Sequence, residues 1–77
     1  MNIYEYTVIF EEEDNVWLAH VPALNGLTTE GASLEEAKLM VKDAIKGYLE
    51  TLQKNHLPIP GDDIEGEPVM QKMSVAL

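Results

Sequence analysis

The sequence predicts a two-layer α+β domain with element order β-β-β-α-β. Three observations predict it. Two runs rich in β-branched and aromatic residues alternate with period two before residue 22. An apolar stripe with helical spacing begins at Leu34, and the closing run VMQKMSVAL alternates again. One helix laid on one sheet face buries both apolar surfaces.

The elements follow in order. Residues 3–10, IYEYTVIF, form the first strand, with Tyr4, Tyr6, Val8 and Phe10 on one face and Ile3, Glu5, Thr7 and Ile9 on the other. The run 11–15, EEEDN, reads as a polar turn. Residues 16–21, VWLAHV, form a second strand that divides into Trp17, Ala19 and Val21 against Val16, Leu18 and His20. Pro22 ends it, because proline has no N–H to give to a ladder. Asn25-Gly26 marks a turn, and Gly31 offers a further position for positive φ. Leu27 to Glu30, between them, are long enough for a short third strand.

Ser33-Leu34-Glu35-Glu36 opens a helix as a capping box: Ser33 accepts from the first turn and Glu36 reaches back to the Ser33 N–H. Leu34, Ala37, Val41, Ala44, Ile45, Tyr48 and Leu52 make the apolar stripe. The helix runs to about Gln53, roughly 30 Å. Gly47 lies on its outer side, at a cost of about 1 kcal/mol relative to alanine, with no packing reason evident. Residues 54–68, with three prolines and two glycines, are a loop, and 69–77 are the last strand. The 77 residues form a single domain, with no internal repeat.

Composition narrows the function classes. Fourteen acidic residues face five lysines and no arginine, a formal charge of -9. Nucleic-acid binders neutralise phosphates with cations, so direct contact with DNA or RNA is not expected. A basic partner is, because a negative field steers positive proteins toward it; solubility alone is the plainer use of the same acids. There is no cysteine, hence no disulfide or thiolate metal site. The start MNIYEY has no signal-peptide pattern and no run is long enough to span a membrane, so a soluble cytoplasmic protein is expected.

The residues also carry a resemblance. Trp17, Ala19, Val21-Pro22, Leu24, Gly26, Thr29, Gly31 and Leu34-Glu35-Glu36-Ala37, with the later Leu57-Pro58-Ile59-Pro60, resemble the N-terminal domain of HicB-type antitoxins over about residues 3–61. The resemblance implies a partly degraded ribonuclease-H-like fold. It also implies a role in neutralising a small HicA-type toxin, a protein that cleaves mRNA. Typical members continue into a DNA-binding domain; the chain stops at Leu77, so no C-terminal DNA-binding domain and no operator binding are expected.

No catalytic, metal or cofactor-binding residue stands out. Nuclease chemistry needs carboxylates converging on metal ions, and Glu5 is the one acid inside a predicted strand. GDDIEGE lacks the spacing of a calcium loop and reads as solvated. His20 and His56 have no second ligand at metal spacing; His20 reads as a sheet-surface side chain and His56 as a loop or helix-end residue. Lys38, Lys42 and Lys46 read as a solvated helix flank, and Trp17 as core. Two surfaces remain. Glu11, Glu12, Glu13 and Asp14 are the candidate contact for a basic toxin, against the plainer reading of a solvated turn. Ile3, Ile9, Val16 and Leu18, opposite the helix, are the candidate interface for self-association. The expected function is a non-catalytic antitoxin module that occludes its toxin. The alternative is an oligomeric HicB-like domain without a toxin, binding another protein or a small ligand.

Overall fold

A computed structural model describes residues 2–62 and 70–77; the segment 63–69, with most of GDDIEGE, lies outside the described residues. The chain forms one four-stranded antiparallel sheet with one helix packed on a single face. The elements are β1 (Ile3–Glu13), β2 (Val16–Val21), a 3₁₀ turn (Pro22–Leu24), β3 (Leu27–Gly31), α1 (Leu34–Lys54) and β4 (Met70–Ala76). The sheet order is β3-β2-β1-β4, so the last strand pairs with the first.

Alternation sets the two faces as the sequence predicts. Tyr6, Val8 and Phe10 of β1, Ala19 and Val21 of β2 and Val75 of β4 are buried beneath Ala37, Val41, Ile45 and Leu49 of α1. Trp17 packs against this core while staying half-buried. Leu49 belongs to the core although the sequence stripe passes it by; it follows Ile45 by one helical turn.

Three local expectations are corrected, and the end of the helix is defined in detail. β1 does not stop at Phe10. It continues through Glu13, pairing Glu13 with Val16, and only Asp14 and Asn15 form the turn, with φ of 52° and 65°. Two left-handed residues match the natural twist of a hairpin, and Asp and Asn tolerate that region. Gly31 is not at positive φ. A Cβ there would lie 2.6 Å from the Ala37 nitrogen, so glycine is what lets β3 meet the start of the helix. The Ser33 hydroxyl accepts from the Glu36 N–H at 3.1 Å, as expected, but the Glu36 carboxylate takes the Ala32 N–H at 3.2 Å rather than that of Ser33. His56 ends the helix in a left-handed conformation: its N–H donates to the Gln53 carbonyl and the Leu57 N–H to the Leu52 carbonyl. This is the arrangement usually built on glycine.

The loop after the helix grips β1 at adjacent residues. The Tyr6 hydroxyl donates to the Pro60 carbonyl at 2.6 Å, and the Thr7 hydroxyl donates to the Asp62 carboxylate at 2.8 Å. Tyr6 and Thr7 project to opposite faces of the strand, so the loop holds the sheet from both sides. Asp62, read from sequence as a solvated loop acid, is 4% exposed in its side chain and paired with Lys72. Burial alone would push its carboxyl up. The Lys72 hydrogen bond, with the backbone and hydroxyl of Thr7 and the Lys72 charge, outweighs that and holds it below the usual carboxylate range. Burial pushes the Tyr6 hydroxyl up, helped by Tyr4 and Asp62.

Candidate functional site

The sheet face away from α1 is where the two candidate surfaces meet. Register fixes its layout. Ile9 stands beside His20, which stands beside Thr28; Glu11 stands beside Leu18, which stands beside Glu30; Glu13 stands beside Val16. Leu18 therefore lies between two carboxylates and Val16 next to a third. Ile9, Val16 and Leu18 are half-buried, while Glu11, Glu13 and Glu30 are exposed. The result is a short apolar row rimmed by acids.

This placement follows from the extension of β1. Had residues 11–14 formed a loop, their carboxylates would have pointed in many directions. In a strand, Glu11 and Glu13 are locked onto the outer face and Glu12, opposite Trp17, onto the helix face. Asp14 alone sits in the turn. The four acids thus divide among two faces and a tip. Glu30 joins the outer group through β3, which a reading of the run 11–14 could not reveal. The signal was present in the alternation of Leu27 to Gly31.

The four apolar residues also divide. Ile9, Val16 and Leu18 share the acid-rimmed surface. Ile3 lies six residues before Ile9, about 20 Å along the strand, and is 70% exposed at the other end of the sheet. There it lines a groove between α1 and β4, with Leu39, Val75, Lys42 and Lys46, of about 510 Å³.

His20 is tied into the outer face. The Thr28 hydroxyl donates to the Gly26 carbonyl at 2.8 Å, so its oxygen accepts from His20 Nδ1 at 2.9 Å. His20 Nε2 then faces the Glu11 carboxylate at 3.7 Å. The Thr28 contact keeps the imidazole on the outer face beside Ile9. Among the described residues no three His, Asp or Glu side chains converge in a way that could hold a metal ion. No helix among them is long and apolar enough to cross a membrane.

The chain is similar to small proteins from distant organisms. A UPF0150 protein of Thermoplasma acidophilum is 42% identical over 62 residues, covering 79% of this chain and 90% of the relative. A UPF0150 protein of Synechocystis is 38% identical over 68 residues, covering 87% of this chain and 86% of the relative. A third, of Helicobacter pylori, is 39% identical over 49 residues, covering 64% of this chain and 68% of the relative. No family model matches the chain, and no solved structure matches it.

Proposed function

The chain belongs to the UPF0150 family, and we propose that it is a non-catalytic, HicB-like antitoxin module that binds a small basic toxin of the HicA type and occludes the surface with which that toxin cleaves mRNA. The observation that carries this reading is the acid-rimmed apolar row on the outer sheet face. A basic protein finds there both parts of an interface: carboxylates that steer and orient it, and Ile9, Val16 and Leu18 to cover. The contact replaces chemistry, since occlusion needs no nucleophile or metal. A cytoplasmic site of action and a ribonuclease-H-like descent of the fold belong to the same proposal.

The test is the rate of association with a candidate toxin at several salt concentrations. Glu11, Glu12 and Glu13 are replaced by Ser and Asp14 by Asn, which keeps a residue tolerant of the left-handed turn. Rim charges act chiefly on encounter, screened over roughly 10 Å at 0.1 M salt. The variant should associate more slowly, with a flatter salt dependence, while dissociation changes less. An unchanged on-rate with a native circular-dichroism spectrum would return these acids to a solvated surface.

A second reading has its own observation. The groove between α1 and β4 combines apolar walls with charged residues of both signs, Lys42, Lys46 and Asp43, which suits a small amphipathic ligand and a family member without a toxin. A neighbouring reading frame for a short basic protein favours the antitoxin role; its absence favours the second.

A further inference from the structure

The acid-rimmed row has a size and shape that constrain what sits on it. Leu18 and Val16 lie two residues apart on β2, and so about 7 Å from each other on the outer face. Glu11 and Glu13 run beside them on β1 at the same spacing, and Glu30 stands on the other side, on β3. Two strand spacings separate Glu11 from Glu30, roughly 10 Å. The surface thus has two apolar steps along its middle, two carboxylates on one flank and one on the other. No lysine among the described residues joins it. Lys38, Lys42, Lys46 and Lys54 belong to α1, on the opposite side of the sheet, and Lys72 is held by Asp62 beside Thr7.

These dimensions separate two kinds of occupant. A single strand laid along β2 matches the step of about 7 Å, since side chains on one of its faces repeat every two residues. It brings one line of side chains to the surface and leaves both acidic flanks unpaired. An α-helix matches the step as well, with residues i and i+4 about 6 Å apart along its axis. Its diameter with side chains, about 10–12 Å, also spans the distance from Glu11 to Glu30. Residues i+1 and i+5 overhang one flank and residue i+3 the other. Lysine or arginine at those positions rests its stem on the apolar row and carries its charge to the carboxylates.

We propose that the acid-rimmed row receives an amphipathic helix of a basic partner protein, aligned along β2. Its narrow apolar stripe sits on Leu18 and Val16, and basic residues on both sides of the stripe meet Glu11, Glu13 and Glu30. Charge complementarity selects this occupant over a second copy of the chain. The chain's own helix exposes Leu39, but Glu35 lies one turn before it and Asp43 one turn after, both exposed, so it would lay carboxylates on the acidic row. The proposal rests on the antitoxin reading for the identity of the partner; the shape of the seat comes from the register.

A stapled helical peptide is the probe, with leucine at i and i+4, lysine at i+1, i+3 and i+5, and neutral residues elsewhere. Titration calorimetry with the full chain is expected to show binding at micromolar concentration that weakens as salt rises. A peptide of the same composition with leucine and lysine alternating should bind at least tenfold more weakly. Leu18→Lys should abolish binding of the helix and Glu30→Lys should weaken it at least fivefold, both with a native circular-dichroism spectrum. Glutamate in place of the i+3 lysine of the peptide should recover most of the Glu30→Lys loss, an outcome particular to this seating. A wild type that does not bind the helix, or binds the alternating peptide as well, overturns the proposal. So does binding that survives Leu18→Lys, or a Glu30→Lys loss without recovery. A wild-type dimer in sedimentation equilibrium that Leu18→Lys dissolves gives the face to a second copy and overturns it too. The antitoxin reading fails separately. Binding of the helical peptide where no candidate toxin binds keeps the seat and removes the toxin. A toxin that binds through Glu11 and Glu13 where the helical peptide does not keeps the toxin and overturns the seat.

Discussion

Two residues hold more of the structure than their types announce. Asp62 secures the loop after the helix to Thr7 and Lys72. Its carboxyl is held below the usual range when folded, so the unfolded chain binds the proton more readily. The stabilisation is therefore present above the unfolded value of about 3.9 and is lost as pH falls through the lowered folded value. Asp62→Asn should flatten the acid limb of stability in urea titrations between about pH 2 and 5, and should cost about 1–3 kcal/mol at neutral pH, since it weakens a charged hydrogen bond in a buried setting. Gly31 is the second. An added Cβ would press within 3 Å of two backbone atoms at the start of α1, and backbone cannot swing aside as a side chain can. Gly31→Ala should lower stability by about 1–3 kcal/mol, read from the denaturant midpoint at unchanged slope.

At the scale of elements, the hairpin of β1 and β2 decides where the acids go. Asp14 and Asn15 both carry positive φ, a conformation that costs an ordinary residue roughly 1–2 kcal/mol. Asn15→Val should lower stability by about that amount in thermal unfolding, whereas Asn15→Gly should be neutral or better. This turn also explains what the sequence concealed. The helix and the strands were legible because apolar residues recur at 3.6 or 2 along them. The end of β1 was not, because four consecutive acids carry no alternation, and only pairing with β2 makes them a strand. Leu49 escaped notice because the stripe is wider than one line of residues. Asp62 escaped because nothing local distinguishes a loop acid that folds back 55 residues onto Thr7 from one that faces water.

Across the whole molecule, the helix covers one face of the sheet, while the other carries Asp62 against Thr7 and, beyond it, the acid-rimmed apolar row. The apolar half of the candidate site could be read from alternation. Its unity with the acids could not, since Glu30 reaches it from β3 and Glu11 from β1 only once the register is known. Conversely Ile3, grouped with Ile9 by alternation, lies about 20 Å from it along the strand.

The pairing of β1 with β4 has one more consequence. The backbone of Asn2 donates to the Leu77 carbonyl at 3.0 Å, and that of Leu77 to the Asn2 carbonyl at 2.8 Å. The sheet is thus completed by a strand that must return across nearly the whole chain, and closing so large a loop comes late and slows folding. Joining residues 2 and 77 through a short flexible linker and opening the chain between Asp14 and Asn15 would turn this most distant pairing into a local hairpin, while β1 and β2 would become the remote pair. Such a circular permutant should keep the native spectrum. Its refolding rate in stopped-flow fluorescence of Trp17 should then report which closure governs the barrier: acceleration if it is β1 with β4, slowing if the first hairpin nucleates the sheet. The expected result is acceleration, because β4 binds the central strand along seven residue pairs and the β1–β2 hairpin along five.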